Sequence, residues 1–126
     1  MTPRTNGPVE AAAKNGGGRL ATLAAQLFSP AGGKARLAVF TYHQVLEKRD
    51  ELRPDEPDRS EFARDLELIA RVFCVLPLPD AVRRLTAGTL PARAATITFD
   101  DGYENNHSLA APLLEHYGLP ATFFIT

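Results

Sequence analysis

One stretch of the chain decides its fold, and it reads Thr96-Ile97-Thr98-Phe99-Asp100-Asp101-Gly102-Tyr103. The segment from Ala94 to Phe99 is apolar or β-branched and carries no charge, which is typical of a strand buried on both faces in a parallel sheet. The strand then stops on two aspartates and a glycine. Because functional groups of α/β folds gather at the carboxyl ends of parallel strands, this stretch predicts a central strand with a site at its end.

The carboxylate pair itself indicates chemistry. Asp100 and Asp101 repel each other and are costly to desolvate, so the pair calls for a cation, a shared proton or open water. Successive side chains of an extended segment point in different directions, so one carboxylate can ligate a metal while the other faces a water or substrate. Asp-Asp-Gly is also common in solvated turns, and these three residues alone leave both interpretations open.

The rest of the chain predicts a repeated β-α alternation. Further strands are expected at about residues 36–42, 72–76 and 121–126. One helix is expected from an N-cap at Ser60 to about Arg71 and a second from Pro79 to Ala87. A third is expected between Tyr103 and His116, and because of Pro112 it either begins as a regular helix near Ser108 or kinks at the proline. Such alternation requires parallel strands and right-handed crossovers, and so predicts the α/β class. By itself it does not distinguish a barrel from an open sheet.

The histidines and the single cysteine differ in what they suggest. His43 follows the first predicted strand directly, so parallel strands would place it on the same rim as the two aspartates. His107 and His116 are nine residues apart on a helical pattern and cannot form the i, i+4 pair that places two imidazoles on one face, so both are expected on the surface. Cys74 lies in an apolar run and is expected to be a buried strand thiol.

Length and composition set limits on the function. The 126 residues allow at most one domain, and a net charge of −1 gives no indication of a nucleic-acid partner. Residues 1–35 are expected to be a disordered leader followed by a short amphipathic helix at Arg19–Phe28, whose apolar core is too short for a clear signal peptide. No stretch reaches the length of a transmembrane segment. These features leave the compartment and the oligomeric state open, with the cytoplasm or the periphery of the cell envelope favoured.

An ordered string of motifs links the chain to a known family. ThrIleThrPheAspAspGlyTyr at 96–103, about a dozen helical residues and GlyLeuProAlaThrPhePhe at 118–124 resemble the first conserved block of the polysaccharide deacetylases, the NodB-homology or carbohydrate esterase family four enzymes. The elements Tyr42-His43-Gln44-Val45 and ThrAlaGlyThrLeuPro at 86–91 are similar to the branch that processes exopolysaccharide and poly-N-acetylglucosamine. The resemblance implies a distorted (β/α) barrel, of which residues 36–126 would be the N-terminal portion, truncated at its C-terminus.

The resemblance also implies roles for individual residues. Asp101 would ligate a divalent metal, with Zn²⁺ the expected ion, together with two histidines of a later His-x-x-x-His motif that this chain does not contain. Asp100 would be the general base. His43 and Tyr103 would lie on the rim of the active site, with roles unassigned. The implied activity is removal of N-acetyl groups from an N-acetylated polysaccharide, and this chain alone would be inactive because the other ligands and the general acid are missing.

Two other interpretations remain open at the level of sequence. A Mg²⁺-dependent phosphoryl-transfer domain also uses paired carboxylates at strand ends, but it would need a third acidic residue and a lysine at other strand ends, and neither is found there. Alternatively, the chain is a truncated domain that binds a glycan or a protein partner without catalysis.

Overall fold

The computed structural model describes residues 29–126. The predicted disordered leader and the predicted helix at Arg19–Phe28 lie outside this range. The regular elements are β1 Ala38–Tyr42, α1 Arg59–Val72, β2 Cys74–Val75, α2 Leu78–Ala87, β3 Ala94–Phe99, α3 Ala111–His116 and β4 Thr122–Phe123, with a short 3₁₀ helix at Gly32–Lys34 and a π-helical turn at Asn106–Ala110.

All strand pairs in the sheet are parallel, and β3 is its centre. Strand β1 pairs with β3 along its whole length, from Ala38 opposite Ala95 to Tyr42 opposite Phe99. On the other edge, β2 pairs with the first two residues of β3 and β4 with the last two. The sequence therefore predicted the parallel α/β class correctly, and the carboxyl ends of β1, β3 and β4 meet at one rim.

The main core forms where α1 and α3 cover one face of this sheet. All six residues of β3 are buried, as predicted for a central strand. Helix α1 buries Phe62, Leu66 and Ile69, the residues whose spacing predicted its apolar face. The remaining members of this core come from the strands, from residues next to them and from the helical stretch 106–116: Ala38, Tyr42, Val45, Phe73, Ala95, Ile97, Phe99, Ala110 and Leu114.

The ends of the helices follow local chemistry. Helix α1 is capped by Asp58 and not by Ser60: the Asp58 carboxylate accepts a hydrogen bond from the Glu61 amide, and the Glu61 side chain accepts one from the Asp58 amide. This reciprocal capping box satisfies two amide donors, which a serine two positions later does not do. Helix α2 starts with Pro79 in its first turn and ends at Gly88 in the left-handed conformation, as predicted.

The third helix was expected to start regularly near Ser108 or to kink at Pro112; instead a π-helical turn precedes a regular helix that begins at Ala111. Pro112 lies in the first turn of α3 and lacks the amide hydrogen that a regular helix would direct to the carbonyl of Ser108. The turn at Asn106–Ala110 precedes it, and its last hydrogen bond runs from the Ala111 amide to the Asn106 carbonyl. Single π turns of this kind occur often beside functional sites.

Three local expectations about the strands are wrong. Strand β2 covers only Cys74–Val75, shorter than the expected 72–76, because Val72 ends α1 and Phe73 caps it. Cys74 is exposed on this edge strand, and the buried residue next to it, Phe73, precedes the strand. Strand β4 covers only Thr122–Phe123, shorter than the expected 121–126, and the residues after it are exposed. Within residues 29–126, no helix has both the length and the apolar character needed to cross a bilayer.

Candidate functional site

An aromatic cluster of Tyr42, Phe62, Phe99 and Phe123 fixes the strand ends that carry the candidate site. The rings of Tyr42 and Phe99 stack with centroids 5.5 Å apart, and those of Phe99 and Phe123 stack at 4.9 Å. Phe62 of α1 contacts both Tyr42 and Phe99 edge to face, at 5.0 and 5.9 Å. Aromatic pairs of this kind contribute about 0.5–1.5 kcal/mol each beyond burial, so the last residues of β1, β3 and β4 are held together.

Directly above this cluster, the parallel register brings His43 beside Asp100. Tyr42 lies opposite Phe99, and the Asp100 amide donates a 3.0 Å hydrogen bond to the Tyr42 carbonyl. Asp100 is half-buried, whereas His43 is exposed. The sequence-based expectation that both residues share one rim is therefore met by the backbone, although no side-chain hydrogen bond joins them among the contacts observed.

The chain then turns sharply through Asp101 and Gly102. Both residues have left-handed backbone conformations, with φ of 71° and 63°. Glycine accepts this conformation freely, but for aspartate it is uncommon. The side chain of Ile125, which follows β4, lies over Gly102. A Cβ placed on that glycine would be 3.3 Å from Ile125 Cγ2. Asp101 is exposed, so the two adjacent carboxylates stand in different environments.

The remaining candidate residues divide between the rim and the surface. Tyr103 follows the turn with 45% of its surface exposed, and its carbonyl accepts a 3.0 Å hydrogen bond from the Asn106 amide. Nothing in its contacts assigns it a role. His107 and His116 are both exposed, as expected, and the His116 ring packs edge to face on Tyr117 at 4.9 Å.

The described part of the rim does not form a metal site by itself. The exposed carboxylate of Asp101 is a suitable oxygen donor, but within residues 29–126 no group of three His, Cys, Asp or Glu side chains is placed to hold a metal ion. Catalytic zinc sites have three protein ligands. The described residues therefore fit one part of such a site and do not fit a whole one.

Two residues of the site were missed at the level of sequence. Gln44 is buried at 7% exposure, and its Oε1 accepts a 3.2 Å hydrogen bond from Nδ2 of half-buried Asn105. This bond joins the segment after β1 to the helical stretch after the aspartate pair. The sequence does show polar residues after the ends of both strands. Nothing in it indicates that the side chains of Gln44 and Asn105 meet.

A surface cavity of about 410 Å³ lies elsewhere, at the start of α1. Its wall includes Arg49 and Asp58 but none of the candidate site residues. Two of the charged residues there already have partners, since Arg49 binds Glu61 at 2.6 Å and Asp58 caps the helix. We therefore place the candidate site at the strand ends.

Comparison with known proteins leads to the same part of the chain. Residues 87–126 match the family described as polysaccharide deacetylase. Over 93 residues the chain is 31% identical to the putative polysaccharide deacetylase YxkH of Bacillus subtilis, covering 72% of this chain and 32% of that protein. The chain thus spans about a third of the length of this curated relative.

Two solved structures illustrate proteins of similar fold. IcaB from Ammonifex degensii matches with a TM-score of 0.57 at 29% identity, over 77% of this chain and 39% of that one. The Streptococcus pyogenes deacetylase PplD, solved in complex with acetate, matches with a TM-score of 0.61 at 21% identity, over 71% of this chain and 42% of that one. These neighbours are NodB-type (β/α) barrels, of which the described sheet matches a part. The family match over residues 87–126, the curated relative and these folds agree in their direction, and the proteins to which this chain is similar are polysaccharide deacetylases.

Proposed function

We propose that this chain is the part of a polysaccharide deacetylase that carries its two catalytic carboxylates. The reaction is hydrolysis of the amide that joins an acetyl group to the nitrogen of a sugar residue. One observation carries the proposal: Asp100 and Asp101 stand at the carboxyl end of the central parallel strand, one half-buried and one exposed, in the segment that matches the family. Adjacent carboxylates in unlike environments can take different roles.

Asp100 is the better candidate for the general base. Its amide is fixed to β1 by the hydrogen bond to Tyr42, and the residue before it is locked in the aromatic cluster, so its position at the rim is well defined. A general base must be held within reach of the water whose proton it removes. In this scheme the carboxylate of Asp100 accepts that proton while the water oxygen bonds to the acyl carbon.

Asp101 is the better candidate for a metal ligand. Its carboxylate is exposed at the rim, where a cation can reach it without a desolvation cost to the protein. A bound divalent metal, with Zn²⁺ expected, would supply positive charge for the acyl oxygen and lower the pKa of water. The other protein ligands would come from parts of the protein beyond these 126 residues, and we therefore propose that the chain alone is inactive.

The reaction is completed by cleavage of the carbon–nitrogen bond. The acyl carbon leaves as acetate, the sugar nitrogen takes a proton and becomes a free amine, and one water is consumed. No residue of the described rim is assigned as the acid that protonates the amine. PplD, a fold neighbour, was solved with acetate, which is the acid product of such a reaction.

The substrate class we propose is an N-acetylated polysaccharide. Within that class we favour an exopolysaccharide, because the Tyr42-His43 element resembles the branch of the family that processes such polymers. The fold neighbours support the broader class only.

The test is acetate release by the natural full-length protein that contains this chain. A poly-N-acetylglucosamine oligomer is incubated with the metal-free protein, with protein reloaded with Zn²⁺, and with the 1–126 chain. We expect acetate only from the reloaded full-length protein and from its Glu51→Gln control, which changes an exposed loop acid that is not one of the candidate site residues. No acetate from the reloaded protein on N-acetylated oligosaccharides of any linkage would refute the proposal.

A further inference from the structure

The loop from Asp100 to Asn105 is attached at both ends to one three-residue segment, Tyr42–Gln44. At its start, the Asp100 amide donates to the Tyr42 carbonyl at 3.0 Å. At its end, Nδ2 of Asn105 donates to Oε1 of Gln44 at 3.2 Å, across 61 positions of sequence. His43 lies between the two attachment points on one side, and Asp101 lies between them on the other. We refer to the second attachment as the Asn105–Gln44 tie.

The loop between these points needs such support. Asp101 and Gly102 are consecutive left-handed residues, and a non-glycine residue keeps this conformation only where its surroundings determine it. The first attachment is a backbone bond that continues the β1–β3 ladder. Only the Asn105–Gln44 tie is made by side chains, and it is therefore the one that sequence variation can remove.

Burial indicates that the tie is not a chance surface contact. Gln44 is 7% exposed, and its backbone amide donates a hydrogen bond to Oε2 of Glu56 at 3.4 Å. Both the backbone and the side chain of Gln44 therefore have partners. Oδ1 of Asn105 is buried with no hydrogen-bond partner among residues 29–126. Burial of this carboxamide therefore costs free energy of folding. A carboxamide neither gives nor takes protons at neutral pH, so its contribution must be geometric.

We propose that Asn105 is a positioning residue, which acts through Gln44 to fix the loop of Asp101 against the segment of His43. The two ends of the loop are held to the same short segment, and the relative placement of the metal-ligand candidate and the rim histidine follows from that. This inference rests on the proposed function for its kinetic readout. Its second readout, exchange of the loop amides, does not depend on the proposed function.

The test compares variants of the natural full-length protein. Asn105→Leu keeps the approximate shape of the side chain and removes the hydrogen bond. Asn105→Asp can still form a hydrogen bond with Gln44, because the Gln44 carboxamide can flip and donate its NH₂ group to the new carboxylate. Gln44→Leu and the double variant complete a mutant cycle. Ser108→Ala is the matched control, since it removes a hydroxyl bonded to Glu104 in the same helical stretch without touching the His43 segment.

For Asn105→Leu we expect kcat for acetate release to fall roughly tenfold to hundredfold with little change in KM, as misplacement of a catalytic group does. Hydrogen exchange of the Asp101 to Tyr103 amides should become faster. Asn105→Asp should restore most of kcat, the double variant should be no worse than Asn105→Leu, and Ser108→Ala should match the wild type.

Three results would overturn the proposal: equal losses of kcat in the Asp and Leu variants, additive losses in the double variant, or unchanged amide exchange in the loop of Asn105→Leu. A wild-type protein that releases no acetate would instead refute the proposed function. In that case the exchange measurement still decides whether the Asn105–Gln44 tie fixes the loop.

Discussion

At the scale of single residues, the turn after the central strand is the most demanding part of the chain. Gly102 has a φ of 63°, and a Cβ added to it would lie 3.3 Å from Cγ2 of Ile125. Asp101 has a similar backbone conformation without the freedom of glycine. The shape of this turn is thus a property of both residues and of the side chain that covers them.

This arrangement predicts a graded loss of stability. Gly102→Ala should lower the free energy of unfolding by about 2 kcal/mol, because left-handed strain and the contact with Ile125 both oppose the new methyl group. Gly118→Ala is the matched control, since Gly118 has a φ of 64° but an added Cβ would meet nothing within 4 Å. Gly118→Ala should lower the free energy of unfolding by about 1 kcal/mol. Urea unfolding measures both, and equal losses would contradict the role of Ile125.

The sequence predicted the positions of the candidate site residues better than it predicted their surroundings. Asp100 and His43 could be placed on one rim because the parallel direction of the strands follows from the β-α alternation. The left-handed conformation of Asp101, the cover by Ile125 and the Asn105–Gln44 tie could not be predicted, because each depends on contacts between residues far apart in sequence.

At the scale of elements, α1 is fixed at its start by Asp58. The pKa of this carboxyl is lowered from its ordinary value of 3.8, first by the hydrogen bond from the Glu61 amide and then by that from the Ser60 hydroxyl. A lowered pKa in the folded protein means that the stabilisation is present above the ordinary value and is lost as the pH falls through the folded one.

We therefore expect Asp58→Asn to show a pH-dependent defect. The wild type should have the higher thermal midpoint at pH 7, and its advantage should disappear as the pH falls from about 5 to about 2. Asp58→Ala, which loses the acceptor as well as the charge, should be less stable than Asp58→Asn at neutral pH. A difference between wild type and Asp58→Asn that stays constant over this range would contradict the capping assignment.

Elements with strong local signals were predicted within a few residues, and those that depend on neighbours were not. Strand β3 has the predicted bounds and α2 ends at the predicted glycine. The N-cap of α1 is Asp58 and not the predicted Ser60, because Asp58 forms the capping box with Glu61. The exposure of Cys74 and the brevity of β4 reflect which strands lie beside them, and a single strand's composition does not contain that information.

At the scale of the whole molecule, the described sheet has an apolar end. Phe124 and Ile125 follow β4 with 48% and 83% of their surfaces exposed. Exposed apolar residues next to a strand edge favour association between chains.

The 126-residue chain, prepared by itself, is therefore expected to self-associate. Light scattering should show a mass that rises with concentration, and Ile125→Lys should reduce the association. Leu52→Lys provides the control, because Leu52 is 91% exposed but lies in the loop before α1. Equal effects of the two lysine variants would mean that the end of the sheet is not the surface involved.

The division of roles between the two aspartates is the centre of the account. The most direct measurement determines Zn²⁺ affinity by calorimetry and acetate release together, for Asp100→Asn and Asp101→Asn in the natural full-length protein. The account predicts that Asp101→Asn loses tight Zn²⁺ binding and activity, while Asp100→Asn retains the metal and loses about 10² to 10⁴ in kcat. Unchanged Zn²⁺ binding in Asp101→Asn, or full activity in Asp100→Asn, would contradict it.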